Sequence, residues 1–183
     1  MHRFIMTACL ALGLGLSGPV LAEDWALTPE ETYERVQAEG DELLFIDVRD
    51  PVEIMFVGFT DVVHANIPFR MVDTDGWMEQ NNHFAMPIND DFADAVGRAL
   101  EERGLPEDAT IITMCRSGSD RGEPSAEYLR DAGFPNVFYV ENGFQGDPAS
   151  EGEHEGQRVV NGWQNSGLPW STDMNRDKIY QAP

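Results

Sequence analysis

Ile111-Ile112-Thr113-Met114-Cys115-Arg116-Ser117-Gly118-Ser119-Asp120-Arg121-Gly122 decides how this chain is read. A short apolar run with β-branched residues ends in a cysteine. A small, polar loop holding two arginines follows, and then a helical segment, Glu123 to Ala132. A strand, a tight loop and a helix in that order aim backbone N–H groups at one point, where the helix dipole also favours negative charge. Amides and guanidinium groups around a thiol stabilise its anion. A cysteine that only closed a buried strand would need no polar, doubly basic loop after it. Cys115 therefore reads as a nucleophile, with Arg116 and Arg121 as anion-binding cations. Ser117, Gly118, Ser119, Asp120 and Gly122 form the cradle around it.

Outward from this loop, strands and helices alternate. Thr28-Pro29-Glu30-Glu31 has the signature of a helix start: an N-cap threonine, proline in the first turn and glutamate three residues on. Its helix is expected to stop at Gly40. Leu43 to Val48 reads as a buried strand, Val62 to Ile67 as a second and Val137 to Val140 as a third. Phe92, Ala93, Val96 and Leu100 share one helical face, with Gly104 beyond it. Such alternation predicts a parallel sheet with helices on both faces, and a site at the carboxyl ends of its strands, where Cys115 falls. Asp47, Arg49 and Glu53 are read as a structural ion-pair set, and His64 as a satisfied interior histidine.

Phe69 to Asp90 shows no periodicity and is read as an inserted loop. Its Met71, Trp77, Met78, Phe84 and Met86 suggest a lid or partner-docking surface. His83 lacks a second ligand at metal-binding spacing. Gly146 to Gly156 is glycine-rich and acidic, without the ligand spacing of a calcium loop, and reads as a solvated insertion. Ser171 to Pro183 is a polar tail.

At the amino end, Arg3, the apolar run Phe4 to Leu16 and Val20-Leu21-Ala22 have the form of a secretory signal peptide, with cleavage expected after Ala22. Most of the apolar run follows Cys9, which argues against a lipid attachment site there. Residues 23–183 are then expected to form one domain with insertions near 69–90 and 145–158, periplasmic or secreted, with Cys115 as its one thiol. An unpaired thiol in an oxidising compartment points to sulfur chemistry. The chain carries 33 acidic against 12 basic residues, a formal charge of −21, and loss of Arg3 makes it one more negative. That balance argues against nucleic acid or an anionic membrane surface as a partner.

The Cys-Arg-Ser-Gly opening of the loop, Phe45-Ile46-Asp47-Val48-Arg49, Asn66-Ile67-Pro68, Asn161-Gly162-Trp163 and Gly167-Leu168-Pro169 together resemble the rhodanese-like domain family across roughly residues 28 to 170. The resemblance implies a three-layer α/β fold around a central parallel sheet of about five strands. It also implies a sulfurtransferase that carries sulfane sulfur as a persulfide on Cys115 and needs no cofactor; the signal-like leader would make it an exported one, and the sequence offers no metal-ligand spacing. Its partners would be a small anionic sulfur donor, a thiol or cyanide acceptor, and a periplasmic redox protein. The loop departs from the family's usual sulfurtransferases, which place four residues between cysteine and arginine. Here five separate Cys115 from Arg121, as in the phosphatases and arsenate reductases built on the same fold. Asp120 would then be a proton donor or a brace for the loop. A Cys-x5-Arg phosphatase or reductase, and a non-catalytic persulfide carrier, stay open as alternatives.

Overall fold

The computed structural model describes residues 25–182; the expected signal peptide and Cys9 lie outside them. In chain order the elements are β1 (Ala26–Leu27), α1 (Pro29–Glu39), β2 (Leu43–Asp47), α2 (Pro51–Val57), β3 (Ala65–Asn66), β4 (Asp73–Met78), β5 (His83–Ala85), α3 (Phe92–Glu102), β6 (Thr110–Met114), α4 (Gly122–Asp131) and β7 (Val137–Val140). Two short 3-10 turns follow, at Trp163–Asn165 and Arg176–Lys178.

The central sheet has the order β1-β7-β6-β2-β3, and every pairing in it is parallel. β2 is buried along its whole length, so it is apolar on both faces, as strands between two helical layers are. Leu44 and Ile46 join Phe92, Val96, Leu100, Ala126 and Leu129 in one core, beneath α3 and α4. Leu43 and Phe45 face the other way, onto Val36 of α1, Ile54 of α2, Phe144 and Trp163. The expected three layers are present, with helices on both faces of five strands.

Register positions the site. Asp47 at the end of β2 lies opposite Met114 at the end of β6, and the ladder continues with Val48 N–H donating to the Met114 carbonyl at 2.9 Å. Asp47-Val48-Arg49 and Cys115 therefore leave the sheet side by side.

α1 starts as its sequence predicts. Thr28 Oγ1 accepts from Glu31 N–H at 3.1 Å, and Thr28 N–H donates back to Glu31 Oε2 at 2.9 Å. Thr28→Ala removes half of this capping box, and we expect a loss of about 1 kcal/mol in stability. It should show as a lower urea midpoint with an unchanged slope.

The chain departs from two sequence expectations and adds two elements to them. Phe69 to Asp90 is not an irregular loop: it folds as the antiparallel hairpin β4–β5, which pairs only within itself. Both of its faces are largely exposed, so no apolar alternation marks it in the sequence. The strand read across Val62 to Ile67 shrinks to β3, because Val63 N–H turns back to the Thr60 carbonyl at 3.4 Å. α2 is an added helix, marked by Asp50-Pro51 in the manner of Thr28-Pro29; Asp50 caps it by accepting from Val52 N–H at 2.7 Å. β1 is the other addition, and at two residues it is too short to leave a periodic pattern.

The tail wraps the molecule. Phe59 and Ser171 exchange backbone hydrogen bonds at 2.8 and 2.9 Å. Lys178 Nζ donates to the Asp61 carbonyl at 2.6 Å, and Tyr180 Oη donates to Asp91 Oδ2 at 3.0 Å. The insertion near 145–158 is mostly exposed and held by isolated bridges, Pro148 with Arg158 and Ala149 with Glu155.

Candidate active site

Cys115 is the first residue beyond β6, and α4 begins seven residues later. Its side chain is fully buried, and Gly118 N–H donates to Sγ at 3.2 Å. The sulfur also lies against the first residue of α4, since a Cβ built on Gly122 would stand 3.5 Å from it. The sulfur thus sits between a backbone N–H donor and the first turn of a helix.

Two close backbone approaches hold the loop in shape. Gly118 has φ +86°, and a Cβ there would meet Asn142 N at 2.6 Å. Gly143 has φ +56°, and a Cβ there would come within 2.4 Å of the Cys115 carbonyl oxygen. The Asn142-Gly143 turn after β7 thus lies directly against the loop. Phe144 N–H donates to the Cys115 carbonyl at 2.7 Å, and Gln145 N–H to that of Arg116 at 2.8 Å. This supporting turn was not anticipated, although an Asn-Gly pair after a strand is a readable turn signal.

The two arginines differ. Arg121 is buried and forms a bidentate pair with Glu53 of α2, at 2.7 and 3.0 Å. Burial opposes its charge, but the Glu53 hydrogen bonds and charge outweigh it, and the Arg121 pKa lies above its ordinary value. Arg116 is exposed at the mouth and donates from Nε to Gln145 Oε1 at 2.8 Å. Partial burial, and then the nearby positive charge of Arg158, push its pKa down. The shared positive spot expected from both arginines is therefore carried by Arg116, because Glu53 compensates Arg121.

Glu53 pairs differently from the expectation, with Arg121. It does not complete an ion-pair set with Asp47 and Arg49; those two pair with each other at 2.6 Å, fully buried. Arg49 Nη2 also donates to the Gly58 carbonyl at 3.0 Å, and its guanidinium lies 4.0 Å from the centre of the Phe144 ring. The second pair thus braces the segment under the loop. Asp120 is exposed and does not brace Arg121, a role taken by Glu53. Ser117 and Ser119 bring their hydroxyls to 3.4 Å of each other at the rim.

His64 is satisfied, as expected, and lies away from Cys115. Its Nδ1 accepts from Phe45 N–H at 3.0 Å. It lines a groove of about 890 Å³ with Gly40, Asp41, Trp170 and Lys178, near the amino-terminal end of β2. Burial, and then the charges of Arg103 and Lys178, lower its pKa to about 4. The folded value lies below the unfolded one, so folding favours neutral His64; the stability this adds is complete above about pH 6.5 and is lost as pH falls toward 4. Between about pH 6.5 and 5, above the carboxylate range, urea midpoints should fall for the wild type and fall less for His64→Phe.

A model of the rhodanese-like domain matches residues 28–147. No match is found among curated proteins. Among solved structures, the Rv0390 protein of M. tuberculosis is 28% identical with a TM-score of 0.57, over 81% of this chain and 97% of that one. A polysulfide-sulfur transferase homodimer from Wolinella succinogenes is 20% identical with a TM-score of 0.45, over 80% of this chain and 77% of that one. A protein described as a possible tyrosine phosphatase, from Rhodopseudomonas palustris, is 18% identical with a TM-score of 0.46, over 80% and 83%.

Proposed function

The chain belongs to the rhodanese-like domain family, and we propose that it is an exported sulfurtransferase working through a persulfide on Cys115. The Cys115 thiolate attacks the outer sulfur of thiosulfate or another sulfane donor. A new S–S bond forms, the donor's S–S bond breaks, and sulfite leaves with the electron pair. A thiolate or cyanide then attacks the terminal sulfur. The persulfide bond breaks, and Cys115 returns as thiolate while persulfide or thiocyanate departs. Gly118 N–H and the α4 N-terminus stabilise the sulfur anion in both halves, and Arg116 attracts the anionic donor to the mouth. Export rests on the signal-like residues 1–22 alone.

The observation that carries this reading is the Gly118 N–H held on a buried Sγ at the start of α4. Steady-state turnover of thiosulfate and cyanide tests it. A two-step exchange gives parallel double-reciprocal lines for the two substrates; intersecting lines, or no thiocyanate, reject it.

The longer loop favours the second reading, a phosphatase or arsenate reductase. Against it, the arginine that would hold a tetrahedral oxyanion is already engaged by both oxygens of Glu53. Hydrolysis of an aryl phosphate without thiocyanate formation would select that reading. Sulfur loading without turnover would select the carrier.

A further inference from the structure

α2 is apolar on both sides. Ile54 is buried and Val57 packs into the core, yet Val52, Met55 and Phe56, at spacing i, i+3 and i+4, form an outward stripe 54%, 53% and 81% exposed. Such a stripe normally faces a core. It continues at both ends. Asp50 accepts from Val52 N–H and, through its other oxygen, from Val72 N–H at 2.9 Å, which sets the half-exposed Val72 at the hairpin root beside the first turn of α2. At the far end, the partly exposed Trp170 ring packs about Gly58, 3.0 Å from where a Cβ there would stand. The same helix carries Glu53, bonded to Arg121 above Cys115.

Exposed acids lie beside this surface: Asp73 follows Val72 at the hairpin root, and Asp120 and Glu123 flank Arg121, which Glu53 of α2 holds. A second copy of the chain, equally acidic, would be repelled. Apolar anchors inside an acidic rim complement a basic protein surface that carries apolar side chains at its centre.

We propose that the Val72–Val52–Met55–Phe56–Trp170 surface docks a basic acceptor protein whose cysteine thiolate takes the terminal sulfur from Cys115. The proposal rests on the sulfur-transfer reading and deepens it by naming the acceptor class. In the step, the partner thiolate bonds the outer sulfur, the Cys115 S–S bond breaks, and the electron pair returns to Cys115. The partner leaves as its persulfide.

The test uses two synthetic single-cysteine amphipathic peptides of equal length, one built on lysine and leucine, the other on glutamate and leucine. Sulfur loss from persulfidated protein is followed by mass after rapid mixing. The cationic peptide should react roughly tenfold faster at low salt, with the advantage shrinking as salt rises. Met55→Ser/Phe56→Ser should remove most of that advantage, by about fivefold or more, while the rate with cyanide stays at the wild-type value. Equal rates for the two peptides, or a double variant as fast as wild type with the cationic one, overturn the proposal.

Fluorescence anisotropy of the labelled cationic peptide with its cysteine changed to serine separates this proposal from the reading beneath it. If Cys115 never loads sulfur but the double variant still weakens this binding, the surface stands and the sulfur chemistry falls. If loading is normal and binding ignores the variant, the surface falls alone.

Discussion

Cys115→Ser is expected to abolish thiocyanate production, by at least ~10³-fold, while leaving the protein folded. The size of the effect follows from the atom. A serine hydroxyl is scarcely ionised near neutral pH, and oxygen forms no stable counterpart of a persulfide. No other cysteine exists among the described residues to take its place. The small cost to folding follows from the surroundings. Serine fits the space, Gly118 N–H can donate to its oxygen as it does to Sγ, and the Phe144 N–H bond to the residue 115 carbonyl involves backbone alone. Comparable melting curves with lost turnover would separate chemistry from structure. Residual turnover above one per cent of wild type would contradict the assignment.

Asp47→Asn should produce the largest loss of stability. Asp47 accepts from Arg49 N–H at 3.0 Å, from Nε at 2.9 Å and from Nη2 at 2.6 Å, and both side chains are fully buried. Removing one partner of a buried pair leaves the other charge uncompensated, at a cost of about 3–5 kcal/mol. In a domain of this size that lowers the melting temperature by roughly 10 °C. Asp47→Leu/Arg49→Met, which removes both charges, should cost less than Asp47→Asn alone. Loop function should suffer with Asp47→Asn, because Arg49 rests on Phe144, whose N–H holds the Cys115 carbonyl. Thermal unfolding of the single and double variants checks both expectations.

Where one segment carries its own signal, the sequence was enough. The strand before Cys115, the Thr28 cap and the apolar run in β2 all read correctly, because burial and capping leave local marks on residue choice. α2 was legible through Asp50-Pro51 but was obscured by an apolar stripe that faces solvent instead of a core. The β4–β5 hairpin left no alternation because its faces are exposed. The site was legible in part. Cys115, Gly118 and Arg121 come together, but Glu53 reaches Arg121 from a different element and Gly143 approaches Cys115 from beyond β7. Nothing local in a chain marks such long-range meetings. The Glu53 pairing changes the chemistry expected of the loop, since it leaves to Arg116 the positive spot expected from both arginines.

The proposed mechanism places the transferred sulfur on Cys115. Intact-mass analysis after incubation with thiosulfate, followed by peptide mapping, tests it most directly. The expected result is a gain of one sulfur atom, located on Cys115, absent in Cys115→Ser and removed by cyanide. An unchanged mass after thiosulfate, with wild-type protein that still hydrolyses an aryl phosphate, would contradict it.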